Sequence, residues 1–372
     1  MEERADVPPT QLADSRPQLD APLRVSIPVN APARVAKVSQ DQYIRSNAFS
    51  PAALSQTKQV LPSLVGVGGK KLGGKGGASP SSSSSSSSGP GASGDADNAQ
   101  IKTAISDFSV LAFSSKRSGK KDVEATAYVS LGVIYDNQGD LLKAIDNYKM
   151  YANICEEIGD IVGHACACNC LGVNFMMLAC PPSDAGYING FTRSPESLHY
   201  LQEAISFHSK HLEFGPDNGG RFVANTNLGL CLGMLGDVAR SAKHHQDSLR
   251  SAIKMQTLYG QAIAVGNLGL LALLRSDLTT SRTCFEQYLQ LVQALLDSDA
   301  EINAWKLLAR LNTLEGRHAD SLESLDQARR VATREGHMNE LRRINCLVGL
   351  ARAGLEFDGF AERLALQAQE AE

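Results

Sequence analysis

Residues 223–249 read VANTNLGLCLGMLGDVARSAKHHQDSL, and the triplet Asn227-Leu228-Gly229 within them sets the register for most of the chain. Its Leu-Gly core returns as Leu268-Gly269 behind Asn267, and occurs upstream as Leu131-Gly132 and Leu171-Gly172. Weakened copies follow at Leu308-Ala309 and Val348-Gly349. In chain order the steps are 40, 57, 40, 40 and 40 residues, one period interrupted by a single 17-residue insertion. A fixed period of this size marks a helical-repeat solenoid, in which each unit is one supersecondary element stacked on the next.

Inside a period the apolar residues recur at helical spacing. Ala127, Leu131-Gly132 and Tyr135 share one stripe of a first helix. Gly139-Asp140 follows, a helix stop and then a cap for the next helix. A second helix carries Ala144, Tyr148 and Tyr151 and stops near Gly159. The same pattern gives Ala224, Gly236-Asp237, Ser241, His245 and Ser248 in one later unit, and Ala264, Ser276-Asp277, Ser281, Phe285 and Tyr288 in the next. Ala304, Gly316, Ser321, Leu325 and Ala328 make a further unit, with a turn at Gly336. The last unit is expected to hold Ile344 on its first helix and Ala361, Ala365 and Ala368 on its second. One period before the first complete unit, Ala104, Phe108 and Gly119 predict a lone second helix, so the ordered array is expected from about Ala99. Small residues at the anchor glycine and at the second-helix Ala or Ser let two helices approach closely, with large residues filling the adjoining holes.

These residues resemble the tetratricopeptide repeat (TPR), whose pattern is Trp-x2-Leu-Gly-x2-Tyr, then Gly, then Ala-x3-Phe. Tyr128-x2-Leu131-Gly132-x2-Tyr135, Gly139 and Ala144-x3-Tyr148 match it, and Trp305-x2-Leu308-Ala309 keeps the aromatic at the front. The resemblance covers about residues 99–372 and implies an all-α solenoid of about six helical hairpins, wound as a right-handed superhelix. A 40-residue unit with Asn-Leu-Gly and Leu-Gly-Asp signatures, in place of the usual 34 residues, looks like the Pins/LGN spindle-orientation scaffolds. The G-protein-binding extension of those scaffolds is not matched, so that activity is not expected here.

Residues 1–98 differ in kind. They hold no Cys, are rich in Pro, Ser, Gly and Ala, and carry ten basic and eight acidic residues. Six prolines in the first forty residues predict a disordered arm. Residues 41–60 are the exception, a short apolar stretch around Pro51 on a Gly/Ser tether that includes Ser81 to Ser88. Such a stretch suits a solvated, transiently helical linker, an interaction motif that orders on binding, or a segment that folds back into the array's groove. Gly69-Lys70-Lys71-Leu72-Gly73-Gly74-Lys75 imitates a phosphate-binding loop, but Gly76 stands where Ser or Thr is required.

The remainder carries 26 basic and 32 acidic residues, too balanced for a nucleic-acid or membrane-surface role through bulk charge. All eight Cys lie there, and with an acidic N-terminus, MEERADVPP, they predict free thiols in a cytoplasmic protein. No membrane insertion is expected. The insertion, residues 179–196, contains Pro181-Pro182, Gly186 and Gly190, which exclude helix, and Tyr187, Ile188 and Phe191, which suit packing on the array or on a partner.

Catalytic and metal constellations are weak. His164-Ala165-Cys166-Ala167-Cys168-Asn169-Cys170 places four ligand types in seven residues. At 3.6 residues per turn, however, Cys166 and Cys170 share a face while Cys168 points about 160° away, into a core position. His208, His211, His244 and His245 read as polar or half-buried helix residues. No nucleophile elbow, phosphate cradle or His-Glu-x2-His occurs, so neither an enzyme nor a bound cofactor is expected.

In TPR arrays the first helices line a concave peptide groove. By register the groove residues are Val129, Val133, Asp136 and Asn137, then Asn169, Val173, Met176 and Met177. Thr226, Leu230 and Met234 follow, then Leu270 and Leu274, then the basic Lys306 and Arg310. Asn227 and Asn267 precede their anchors, where the resemblance implies a hold on ligand backbone and the residue type equally suits capping or a core hydrogen bond. The expected partner is a protein segment, apolar or amphipathic and acidic at one end; alternatively the array's own superhelical packing covers these residues. The alternative is an assembly component of a cytoskeletal or ciliary complex, held by surface contacts.

Overall fold

A computed structural model of the chain describes residues 92–179, 194–214 and 217–370. The expectations for the N-terminal arm up to residue 91, including residues 41–60, and for Tyr187, Ile188 and Phe191 of the insertion lie outside the described residues. Among those described there are twelve helices and no strand.

Five helical hairpins stack in sequence: α2 (Lys121–Gln138) with α3 (Leu141–Ile158), α4 (Ile161–Ala179) with α5 (Pro195–Phe214), and α6 (Asn218–Met234) with α7 (Val238–Lys254). Then come α8 (Leu258–Leu274) with α9 (Leu278–Ala294), and α10 (Ser298–Leu314) with α11 (His318–Glu335). A lone α1 (Ala92–Ser118) precedes them and α12 (Met338–Glu370) follows. Each helix packs against the next along the chain, and first helices also touch directly between α4 and α6 and between α6 and α8. That is the arrangement of a helical-repeat solenoid.

On either side of the insertion the chain reverses every twenty residues. Left-handed backbone occurs at Gly119, Gly139 and Gly159, then at Gly236, Gln256, Ser276, Leu296, Gly316 and Gly336. Asp237, Asp277 and Asp297 then cap the following helix, each accepting the backbone N–H three residues on at 3.0–3.1 Å. Each such cap contributes about 1 kcal/mol.

What holds a hairpin closed is a ring pressed on glycine. A Cβ at Gly132 would lie 2.6 Å from Tyr148, at Gly172 2.6 Å from His208, at Gly229 2.5 Å from His245 and at Gly269 2.6 Å from Phe285. Where the anchor is Ala309 the second helix offers Leu325 instead, and both are buried. His208 and His245 are therefore interior ring fillers and His211 is buried, not polar or half-buried helix residues, and His245 holds the second-helix position that the repeat pattern gave it. Their second-helix motifs, Ala204-x3-His208 and Ser241-x3-His245, repeat Ala144-x3-Tyr148 in the same register.

Two further expectations change. The anchors of α2 and α4 are 40 residues apart, whereas their ring partners, Tyr148 and His208, are 60 apart. The net 17-residue insertion is thus twenty residues added between α4 and α5 and three removed before α6. At its neck Ser197 Oγ donates to the Ala179 carbonyl at 2.6 Å. The last unit also has no second helix: Ala361, Ala365 and Ala368 continue α12 without a break. One period after Gly316 stand Glu356 and Phe357, so neither a left-handed glycine nor a capping Asp stops the helix there.

Composition alone makes α4 long and apolar enough to cross a membrane, against the expectation that no stretch is. It lies inside the array, and Ala167, Cys168, Leu171, Phe175 and Met176 are buried between neighbouring helices. Cys168 occupies a core position, as its register predicts.

Candidate functional site

The first helices place the expected groove residues at three depths. Asn137 and Arg310 are exposed, and Leu274, at the C-terminal end of α8, is 37% exposed. Val129, Val133, Asp136, Val173, Met177 and Lys306 are half-buried, and of these the four apolar residues lie on α2 and α4. Asn169, Met176, Thr226, Asn227, Leu230, Met234, Asn267 and Leu270 are buried, so stacking of adjacent units consumes most of the central face.

The polar members of the buried set divide sharply. Thr226 Oγ1 lies 2.6 Å from Ser248 Oγ and donates to the Phe222 carbonyl, which locks α6 to α7. Asn227 Nδ2 donates to Asn169 Oδ1 at 3.3 Å, a bridge between α6 and α4. Both residues expected to meet a ligand are thereby engaged in joining helices. Asn267 is different. It is 2% exposed, and neither of its amide atoms has a hydrogen-bond partner. Each such buried orphan group costs about 1–3 kcal/mol. The side chain lines a cleft of about 10 Å³ with Leu230, Gly233 and His245 on one side and Leu270, Leu271 and Leu274 on the other. A space of that volume holds one water.

Two polar clusters that the sequence reading did not assemble lie elsewhere in the array. On α2, Asp136 Oδ2 accepts from Asn174 Nδ2 at 3.2 Å and from Tyr148 Oη at 3.3 Å. Burial raises the Asp136 carboxyl above its ordinary pKa, and these two donors only partly oppose it. On α9, Arg282 Nη2 donates to Asn312 Oδ1 at 2.7 Å and to Glu315 Oε2 at 2.6 Å, tying α9 to α10. Asp136 stands 12 residues from Tyr148 and 38 from Asn174, and Arg282 stands 33 from Glu315, spacings that carry no register information by themselves.

The expected basic end is also altered. Lys306 Nζ donates to Glu340 Oε2 at 2.7 Å, and Arg343 binds the other carboxylate oxygen at 2.7 Å. Burial opposes ionisation of Glu340, yet the Lys306 bond and the charges of Lys306 and Arg343 hold its carboxyl below the usual range. Lys306 is thus committed to α12, and Arg310 is the exposed cation of the pair.

The buried histidines are neutral by position. Burial pushes the imidazole pKa of His208 to about 3, with a smaller push from His211, and that of His245 to about 3, with a smaller push from His244. Burial takes His211 to about 4, against a small opposing pull from Asp217. Cys166 and Cys170 share a sulfur hydrogen bond one helical turn apart. Among the described residues no group of three His, Cys, Asp or Glu is placed to hold a metal ion. No protein-family model matches the chain, and no characterised protein matches it.

Proposed function

We propose that the chain is a TPR scaffold of the 40-residue kind, wound as a right-handed superhelix, that binds an apolar or amphipathic segment of another protein on its first-helix face. The observation that carries this reading is Asn267. A buried primary amide with both functional atoms unsatisfied is kept at a cost in stability, and an extended backbone admitted by widening the one-water cleft offers the N–H and C=O that would satisfy both. Leu274 at the mouth of the cleft and the half-buried Val173 and Met177 supply adjoining apolar surface for side chains of that segment. With Lys306 held by Glu340, charge preference for an acidic end rests on Arg310. The seven free cysteines among the described residues fit a reducing, cytoplasmic compartment.

The test uses peptides selected from a random display library on the full chain, with affinity read by fluorescence anisotropy. Leu274→Asp and Asn267→Leu are each expected to weaken binding at least about tenfold. Asn267→Leu removes the orphan amide, so it is also expected to raise stability by about 1–2 kcal/mol in urea titration. Selected peptides that bind both variants as tightly as the wild type would place recognition elsewhere on the surface, as the assembly-component reading requires.

A further inference from the structure

The array ends in two complementary halves of a hairpin. α1 is a second helix by register: Ala104 and Phe108 stand forty residues before Ala144 and Tyr148, and Gly119 forty before Gly159. Its own first helix would occupy residues 81–98, which read as eight serines followed by GPGASGDADN. That sequence has no apolar stripe to offer. α12 is a first helix by register, with Val348-Gly349 at the anchor position and no second helix among the described residues.

Exposure marks both halves as open. The anchor positions Gly132, Gly172, Gly229, Gly269 and Ala309 are all buried, whereas Gly349 is exposed and a Cβ built there meets nothing within 4 Å. The ring or side chain opposite each buried anchor is buried as well, whereas Phe108 is only half-buried. The small second-helix residues Ala144, Ala204, Ser241, Ser281 and Ser321 are buried, and Ala104 is not.

The chemistry of the two open faces matches. In the four hairpins with glycine anchors the opposing residue is a ring, and in the one with alanine it is Leu325. Gly349 therefore calls for a ring, and Phe108 is a ring without a glycine. In the α10–α11 hairpin Asn312 Nδ2 donates to Ser324 Oγ at 3.2 Å, and Thr313 Oγ1 lies 2.9 Å from Ser321 Oγ. The positions in register with the first pair are Arg352 on α12 and Asp107 on α1, both exposed and of opposite charge. Those in register with the second are Ala353 and Ala104, two small apolar residues.

We propose that α1 of one copy docks on α12 of a second copy as the missing second helix of a hairpin, seating Phe108 against Gly349 and pairing Asp107 with Arg352. The contact is head-to-tail, so each copy keeps one free end, and association continues into a filament or closes into a ring.

Sedimentation velocity of the full chain from about 1 to 100 µM tests this. The wild type is expected to grow beyond a dimer with concentration. Phe108→Asp and Gly349→Leu are each expected to stay monomeric, and the second fills open space, so its circular dichroism should match the wild type. An equal mixture of the two is expected to form a dimer and stop there, because the first variant retains a good tail and the second a good head. Asp107→Arg is expected to weaken association at least about tenfold, and Asp107→Arg/Arg352→Asp to restore it. A wild type that remains monomeric across the range, variants that associate as the wild type does, or a mixture that stays monomeric would each overturn the proposal.

Discussion

Acid should unfold this array through its interior imidazoles. His208, His211 and His245 have folded-state pKa values of about 3, 4 and 3, set chiefly by burial, against about 6.5 in an unfolded chain. Because the folded values are depressed, the stabilisation is complete above about pH 6.5 and is lost as pH falls from there toward 3–4. From pH 7 to pH 5 the extra proton bound by each unfolded imidazole rises from about a quarter to nearly one, which costs about 2 kcal/mol per histidine. The three together cost about 6 kcal/mol, comparable with the whole stability of an ordinary domain. Replacing His208 and His245 by Phe keeps a ring in each slot, as Phe285 on Gly269 does, and removes two of the three protonation sites. Urea unfolding followed by helical circular dichroism at both pH values gives the stability lost on acidification. That loss is expected to be about 4 kcal/mol smaller in His208→Phe/His245→Phe than in the wild type. An equal loss in the two proteins would refute the argument, since it would place the acid sensitivity in carboxylates whose folded pKa is lowered, such as Glu340.

Two further outcomes concern stability. Gly269→Ala drives a methyl group to 2.6 Å from Phe285 and is expected to cost about 2 kcal/mol, whereas Gly349→Ala, in open space, should stabilise by up to about 1 kcal/mol through helix propensity. Thermal melts of the two variants at neutral pH compare them directly, and equal shifts would contradict the ring-on-glycine account of hairpin closure. Leu296 has left-handed backbone at φ 54° and is 92% exposed. Leu296→Gly is therefore expected to raise urea stability by about 1 kcal/mol, and a destabilised variant would show that the leucine side chain is held by something else.

The period was readable because it is one-dimensional. Leu-Gly spacing, the glycine turns and the Asp caps are local signals, and they placed α2 through α11 and put Cys168 in the core. The groove was less readable because its depth depends on how units rotate against one another. Thr226 is taken up inside its own hairpin by Ser248, whereas Leu230 lies at the seam with α8, which the sequence of one hairpin does not show. Asn227 illustrates the same limit: its bond to Asn169 crosses 58 residues of sequence. The α12 reading failed for a local reason, since the small Ala361, Ala365 and Ala368 kept register while the residues that stop a helix were gone. The histidines were misjudged by residue type. Their meaning lay in the glycine across the hairpin, a pairing that the sequence shows only once Tyr148 and Phe285 are set beside them.

The turns also distribute compliance along the array. Glycine takes the left-handed position at both ends, at 119, 139 and 159 and again at 316 and 336. Three successive turns in between use Gln256, Ser276 and Leu296, each strained by about 1 kcal/mol. A stack of nearest-neighbour units ordinarily frays from its ends. Here the seams most ready to yield lie in the interior, around α8 and α9 and beside Asn267, so a load applied along the array is taken up first at its centre.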